Sequence, residues 1–391
     1  MNGAYGNPNV PPATAPTRRG GEIEPAAVLG AQKNWGAVKR SEPGRCFPTH
    51  ELRAESTGHQ RYDRYSKGVI AAIKSGKKGK TPYRFIDLFA GIGGFHLAFH
   101  RCGAECVFAS EKEKYARWAY EVNHKKITPH LFEEEGLFND DILKIAPKKV
   151  PDHDVLCAGF PCQPFSQAGY KRGFTESHED RGNMFFIITK IIQAKRPKAF
   201  FLENVRHLEN HDGGRTFAII KKVLETDLKY NISYKIVKAS DYGLPQHRPR
   251  IFIVGFRKED CYPLKFEFPD STPLRFTMDE VWGGKCNKKI GFTLRVGGRS
   301  SSIKDRRNWD SYIVNGKVRQ LGPEEGLKMM GYPSDFIMPK AKVAAMKLLG
   351  NSVAVDAVGA VARSVIKHLD SAGKFPVLRV NATKGEFELT Y

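Results

Sequence analysis

Between Tyr83 and Arg257 short, largely apolar runs alternate with longer segments of helical periodicity. Arg84–Phe89, Cys106–Ala109, Val155–Ala158, Ala199–Leu202 and Ile251–Val254 have strand length, and the segments between them are long enough for helices. This alternation predicts an α/β fold, a mostly parallel sheet with helices on both faces. Ligands of such sheets bind beyond the carboxyl ends of the strands, so the run-ends at Phe89, Gly159, Glu203 and Gly255 are where chemistry is expected.

After Arg257 the pattern lapses into Lys-, Arg- and Gly-containing segments such as Lys285–Lys289 and Arg295–Ser300, which predicts a second, smaller domain. Helical character returns from Ala341. The run Val353–His368 reads as a helix packed back on the sheet, and Phe375–Tyr391 as a hairpin. Ahead of Tyr83, residues 1 to about 60 are rich in Gly, Pro, Ala and Arg, a composition that buries too little surface to offset chain ordering and predicts a mobile basic arm. A short helix over Tyr62–Ile73 and a linker over Lys74–Lys80 follow it. The expected organisation is a basic extension (1–80), a catalytic domain (81–257 with 346–391) and a small domain (258–345).

Charge changes the picture more than composition does. The chain has 391 residues and a formal net charge of +21, which attracts polyanions and makes nucleic acid the leading partner, with a merely basic protein as the plain alternative. Its seven cysteines show no paired zinc-type spacing, so neither a disulfide framework nor a metal site is expected. No uninterrupted apolar run reaches the length of about 18 residues that spans a bilayer, and the N-terminus lacks the order of a secretory signal. The expected location is cytoplasmic.

Chemistry concentrates at the run-ends. Asp87-Leu-Phe-Ala-Gly-Ile-Gly-Gly94 ends a strand and opens a helix, where small residues let a ligand approach backbone N–H groups; tight packing explains the glycines equally well. Glu111, just past the next run, suits the hydroxyls of a ribose or is a solvated charge. Cys157 sits inside its apolar run as a structural cysteine does, whereas Cys162 lies beyond the run between prolines, a place for a nucleophile. Glu203 ends a further strand and would face the same crevice as a proton donor or acceptor. Gln246-His-Arg-Pro-Arg250 offers two guanidinium forks, for an anion or carbonyl oxygen or for surface salt bridges.

Taken in order, Phe85–Gly94, Gly159-Phe-Pro-Cys-Gln-Pro-Phe-Ser166, Glu203-Asn-Val205, Gln246–Arg250 and Gly350-Asn-Ser-Val353 resemble the DNA cytosine-5 methyltransferases of bacterial restriction-modification systems, over roughly Tyr83 to Leu369. The resemblance implies a Rossmann-like S-adenosylmethionine-dependent methyltransferase domain with a smaller target-recognition domain. It implies that Phe89, Ala90, Gly91, Gly93, Gly94, Pro161 and Met184 line the cofactor. Glu111 would then hold its ribose, Asp141 its adenine amine, Ile142 its adenine face, and Asn351 with Ser352 its methionine end. Lys112 departs from the pattern, since bacterial relatives often place a Trp there to stack on adenine; a lysine stem covers a ring less well.

For the reaction the resemblance implies that Cys162 attacks carbon 6 of a cytosine in double-stranded DNA and Glu203 supplies a proton at N3. Arg248 would steady the base's carbonyl oxygen and Arg250 order the site. The target nucleotide must swing out of the duplex. Phe165–Met184, with Ser166, Lys171, Arg172 and Arg181, is the expected closing lid and DNA contact. Thr293-Leu-Arg-Val-Gly-Gly298 resembles the target-recognition loop, with Thr293 a phosphate contact and Arg295 and Arg299 as guanine readers or phosphate ligands. A monomer acting beside a cognate restriction endonuclease is the expected setting. Alternatives of other kinds are a transfer-RNA cytosine-5 methyltransferase, from whose pattern Phe165-Ser166 departs, and a catalytically silent DNA-binding regulator.

Overall fold

The computed structural model describes residues 58–75, 83–161, 184–260, 265–297, 301–371, 377–381 and 386–390. Seven strands form the main sheet: β1 (Arg84–Leu88), β2 (Glu105–Ser110), β3 (Phe138–Asn139), β4 (Val155–Gly159), β5 (Ala199–Val205), β6 (Tyr230–Lys238) and β7 (Pro249–Arg257), in the order β3-β2-β1-β4-β5-β7-β6. All neighbours are parallel except at β7, which is antiparallel to both β5 and β6.

The apolar runs are nearly continuous because both faces of the sheet are covered. Phe85, Cys157, Phe201 and Val254 point into one core, with residues of α2 (Gly94–His100), α3 (Lys114–His124) and the late helix Val355–Leu369. Ile86, Leu88, Leu156, Ala158, Phe200, Leu202, Ile251 and Ile253 point into the other, against helices Met184–Lys195 and Arg215–Lys222. The order of strands changes direction between β1 and β4, which opens a crevice beyond their carboxyl ends.

The structure corrects one of the expected run-ends. Because β7 runs backwards, Gly255 pairs with Phe200 near the start of β5, at the opposite end of the strands from Phe89, Gly159 and Glu203. Gly255 is there for packing: a Cβ on it would come within 2.1 Å of the Phe200 ring. The end of β7 that reaches the crevice is its beginning, where Arg250 pairs with Val205.

Ahead of the sheet, α1 (Gly58–Ser75) is packed against the rest of the fold. Tyr62, Tyr65 and Ser66 share one helical face. The Phe276 ring lies 5.3 Å from Tyr62 and 5.2 Å from Tyr65, the Tyr65 hydroxyl donates to Asp356 Oδ2 at 2.7 Å, and Ser66 Oγ bonds Ser334 Oγ at 2.7 Å. The end of the expected extension is therefore docked helix. Among the described residues one stretch, Lys342–Leu369, is long and apolar enough to cross a membrane by length and composition, although polar residues interrupt it. It is two helices, Lys342–Asn351 and Val355–Leu369, and 78% of its apolar window is buried in the fold. The terminal hairpin is present as Val377–Asn381 paired antiparallel with Glu386–Thr390.

Two buried histidines bear on acid stability. Burial holds both His124 and His153 down to about 4, against a backbone carbonyl contact from Ile92 and Pro151 respectively. A depressed histidine binds fewer protons in the folded state than in the unfolded one, so stability is intact above the unfolded value of about 6.5 and is lost as pH falls from there toward 4. Each contributes up to about 3 kcal/mol of that loss. Thermal denaturation followed from pH 7 to pH 4 should show the decline, and a flat profile would contradict it.

Candidate active site

The crevice is built from the ends of β1, β2, β4 and β5 and the start of β7. After β1 the chain turns through Phe89 (φ 53°), Gly91 (φ 57°) and Gly93 (φ 86°) before α2. The glycines have different jobs. A Cβ on Gly91 would meet nothing within 4 Å, so its backbone faces open space. One on Gly93 would strike His124 Nε2 at 2.0 Å, and one on Gly94 would strike Val353 Cγ2 at 2.5 Å, so both serve close packing. Ala90 is buried and its N–H donates to Ser110 O at 3.0 Å, which fixes the turn to the end of β2.

Glu111 completes that corner. Its Oε2 accepts from Gly91 N at 2.8 Å and its Oε1 from Glu113 N at 2.8 Å, so the carboxylate is oriented by two backbone donors and keeps acceptor capacity on both oxygens. Asp141 starts a short helical turn, accepting Leu143 N at Oδ1 (3.1 Å), while Oδ2 takes the Lys112 ammonium at 3.0 Å. Ile142 is buried beside it.

Glu203 stands at the end of β5 in register with Gly159 of β4, and its Oε2 lies 3.7 Å from where a Gly159 Cβ would be. Arg250 Nε reaches Glu203 Oε1 at 3.0 Å. Burial pushes the Glu203 carboxyl above the ordinary range, and the charges of Arg250 and Arg248 hold it back. Asn204, a residue the sequence reading passed over, donates from Nδ2 to Phe160 O at 2.9 Å and so fixes the backbone leading to Pro161. Its signal was its place in the Glu203-Asn-Val205 string.

The two arginines are used differently. Arg248 is 2% exposed, and its guanidinium donates to three backbone carbonyls: Leu294 at 3.2 Å, Gly350 at 2.9 Å and Ser352. Gln246 grips the same loop, accepting Leu294 N at Oε1 (3.2 Å) and donating to Met329 O at 3.1 Å. Burial lowers Arg248 to about 9, the Arg250 charge adding to the effect. Gly350 lets the loop approach, since a Cβ there would lie 2.8 Å from the Arg295 carbonyl carbon. Ser352 is buried and bonds the Tyr332 hydroxyl; Asn351 beside it is exposed.

Arg248→Met keeps the stem and leaves three buried acceptors unpaired, at about 1–3 kcal/mol for each buried group left unsatisfied. A loss of about 3 kcal/mol or more in denaturant unfolding is expected, and a change under about 1 kcal/mol would contradict this role.

The crevice thus gathers Phe89, Gly91, Glu111, Asp141, Glu203 and Arg250, with Met184 partly buried at the start of its helix and Pro161 exposed. Thr293 is half-buried and Arg295 exposed beside Gly350. Cys162, Ser166, Lys171, Arg172, Arg181 and Arg299 lie outside the described residues, as does the expected lid up to Asn183.

A family model described as C-5 cytosine-specific DNA methylase matches residues 83–280 and 277–367. Type II methyltransferase M.SsoII of Shigella sonnei is 41% identical over 325 residues, spanning 74% of this chain and 81% of that protein. Type II methyltransferase M1.ScrFI of Lactococcus lactis subsp. cremoris is 37% identical over 387 residues, spanning 90% and 93%. Among solved structures, a mutant of Spodoptera frugiperda DNMT2 superposes with a TM-score of 0.53 at 18% identity, over 74% of this chain and 99% of that one, which bears on the fold alone. By the family match and these identities, the chain belongs to the C-5 cytosine-specific DNA methylases and is a DNA (cytosine-5-)-methyltransferase.

Proposed function

We propose that this protein transfers a methyl group from S-adenosylmethionine to carbon 5 of a cytosine in a specific double-stranded DNA sequence, through base flipping and a covalent Cys162 adduct. The observation that carries this reading is the buried Glu203, paired with Arg250 and aimed at Gly159, the strand end from which Phe160-Pro161-Cys162 departs.

Bound S-adenosylmethionine supplies the methyl on a sulfonium. The residues at hand fit it: Glu111 with its orienting N–H groups for a ribose, Asp141 for an exocyclic amine, and open space at Gly91. The Cys162 thiolate adds to carbon 6 while Glu203 gives its proton to N3, so that charge does not build on the ring. Carbon 5, made nucleophilic in this way, would then take the methyl with release of S-adenosylhomocysteine. Loss of the carbon 5 proton to a base then re-forms the ring double bond and expels the Cys162 thiolate, while N3 returns its proton to Glu203.

The geometry supports exchanging the two arginine roles that the resemblance implied. Arg250, bonded to Glu203 and to the Pro249 carbonyl but placed beside the acid, is the one suited to meet the base; Arg248, spent on three carbonyls, is the one that orders the site. Gln246 and Arg248 hold the backbone at Leu294, where Thr293 and Arg295 would meet DNA, and Arg299, Ser166, Lys171, Arg172 and Arg181 would add further DNA contacts. The division into 81–257 with 346–391 and 258–345 belongs to the same reading, as do a monomeric enzyme and a cognate restriction endonuclease.

Incubation with methyl-labelled cofactor and either double-stranded DNA or transfer RNA tests it. Label in DNA at cytosine 5, within a fixed sequence context, is expected. Label on RNA alone would overturn it.

A further inference from the structure

Lys112 follows Glu111 directly, and its side chain has an acidic partner. Asp141 has one oxygen committed to the Leu143 N–H, and the other, Oδ2, carries the Lys112 ammonium at 3.0 Å. The Lys112 side chain is 76% exposed, and among the described residues this ion pair is what holds its ammonium over the acidic group. Partial burial works to raise the Asp141 carboxyl, but Lys112 and the Leu143 N–H outweigh it and hold it below the ordinary range; Lys144, itself 3.2 Å from Asp140 Oδ2, adds to the effect. The carboxylate is thus charged, with one oxygen held by a backbone donor and the other sharing its lone pairs with the ammonium.

We propose that Lys112 is a latch on the adenine-recognition acceptor: in the free protein its ammonium occupies Asp141 Oδ2, and cofactor binding must displace it. This rests on the reading above that Asp141 receives the adenine amine. An aromatic side chain at this place adds a stacking surface and leaves the acceptor free, whereas a lysine competes for it. Cofactor affinity is therefore set by a competition between an intramolecular ion pair and an intermolecular hydrogen bond.

Competition of this kind has a sign that plain contact does not. Salt screens an exposed ion pair and barely touches a neutral hydrogen bond. Rising ionic strength should weaken the Lys112–Asp141 pair and tighten the binding of a ligand with no net charge. An ammonium that helped to bind the cofactor directly would not give that result.

Calorimetric titration of S-adenosylhomocysteine, which is zwitterionic and unreactive, into the full-length protein reads this out without turnover. Lys112→Met keeps the stem and removes the charge, and should tighten binding by up to about five-fold, the worth of an exposed ion pair. From about 0.05 M to about 0.5 M NaCl the wild type should gain affinity and Lys112→Met should not. Weaker or unchanged binding by Lys112→Met, or the same salt response in both proteins, would overturn the latch. Asp141→Asn separates the two claims. If it weakens binding while Lys112→Met has no effect, only the latch fails; if neither substitution matters, the assignment of adenine to Asp141 fails with it.

Discussion

Cys162→Ser is expected to lose methyl transfer by about three orders of magnitude or more while the protein stays folded and still binds DNA. The aromatic carbon 6 of cytosine is a poor electrophile, and attack on it needs a thiolate; a serine hydroxyl is far less acidic and gives a much smaller anionic fraction. Removing the nucleophile of a covalent mechanism also removes the benefit of the groups that serve it, so the loss is close to that of the whole constellation. Serine preserves the side-chain size, and the backbone at Phe160, two residues ahead, is held independently by the Asn204 bond. Single-turnover methylation together with a DNA-binding isotherm separates chemistry from binding. Residual transfer within about ten-fold of wild type would rule out the covalent route.

Glu203→Gln should lower the transfer rate by about 10²- to 10⁴-fold, the range of a positioned general acid. Glutamine keeps the shape and can still accept from Arg250, so the ion-paired neighbour stays roughly in place, but it carries no proton to give N3. The pH dependence follows from the direction of the shift. Burial raises Glu203, with Arg250 and Arg248 opposing, so the protonated acid persists to higher pH than for a solvated glutamate and is lost as pH rises through the raised value. The wild-type rate should fall on that limb, and the residual rate of Glu203→Gln should lack it. A loss under about ten-fold, with the limb intact, would assign the proton to another group.

Strand runs and helix periods could be read because each strand is buried on both faces and so is apolar almost throughout. That is why β1, β2, β4, β5 and β7 stood out, whereas Tyr230–Lys238 at the edge, with mostly exposed or half-exposed residues, did not. Strand direction leaves no such mark: Ile251–Val254 is as apolar as its neighbours, and only the pairing shows that Gly255 sits away from the crevice. Residue types at the site were legible, but their partners were not. Arg248 and Arg250 are chemically identical in the sequence, and what separates them is that three carbonyls surround one and a carboxylate faces the other. The same holds for Gly93 and Gly94, whose packing against His124 and Val353 depends on residues distant in the chain. For α1, the Tyr62, Tyr65 and Ser66 face carried the clue to docking, though the charged residues around it read as an extension.

The covalent bond between Cys162 and cytosine carbon 6 is tested most directly with duplex DNA carrying 5-fluorocytosine at the methylated position. After methylation that ring has no carbon 5 proton to lose, so the C–S bond cannot be released. In the presence of S-adenosylmethionine, wild-type protein should form a complex that survives denaturing electrophoresis, with the cross-link mapping to Cys162, and Cys162→Ser should form none. An active wild type that yields no such complex, or a cross-link that persists in Cys162→Ser, would contradict the account.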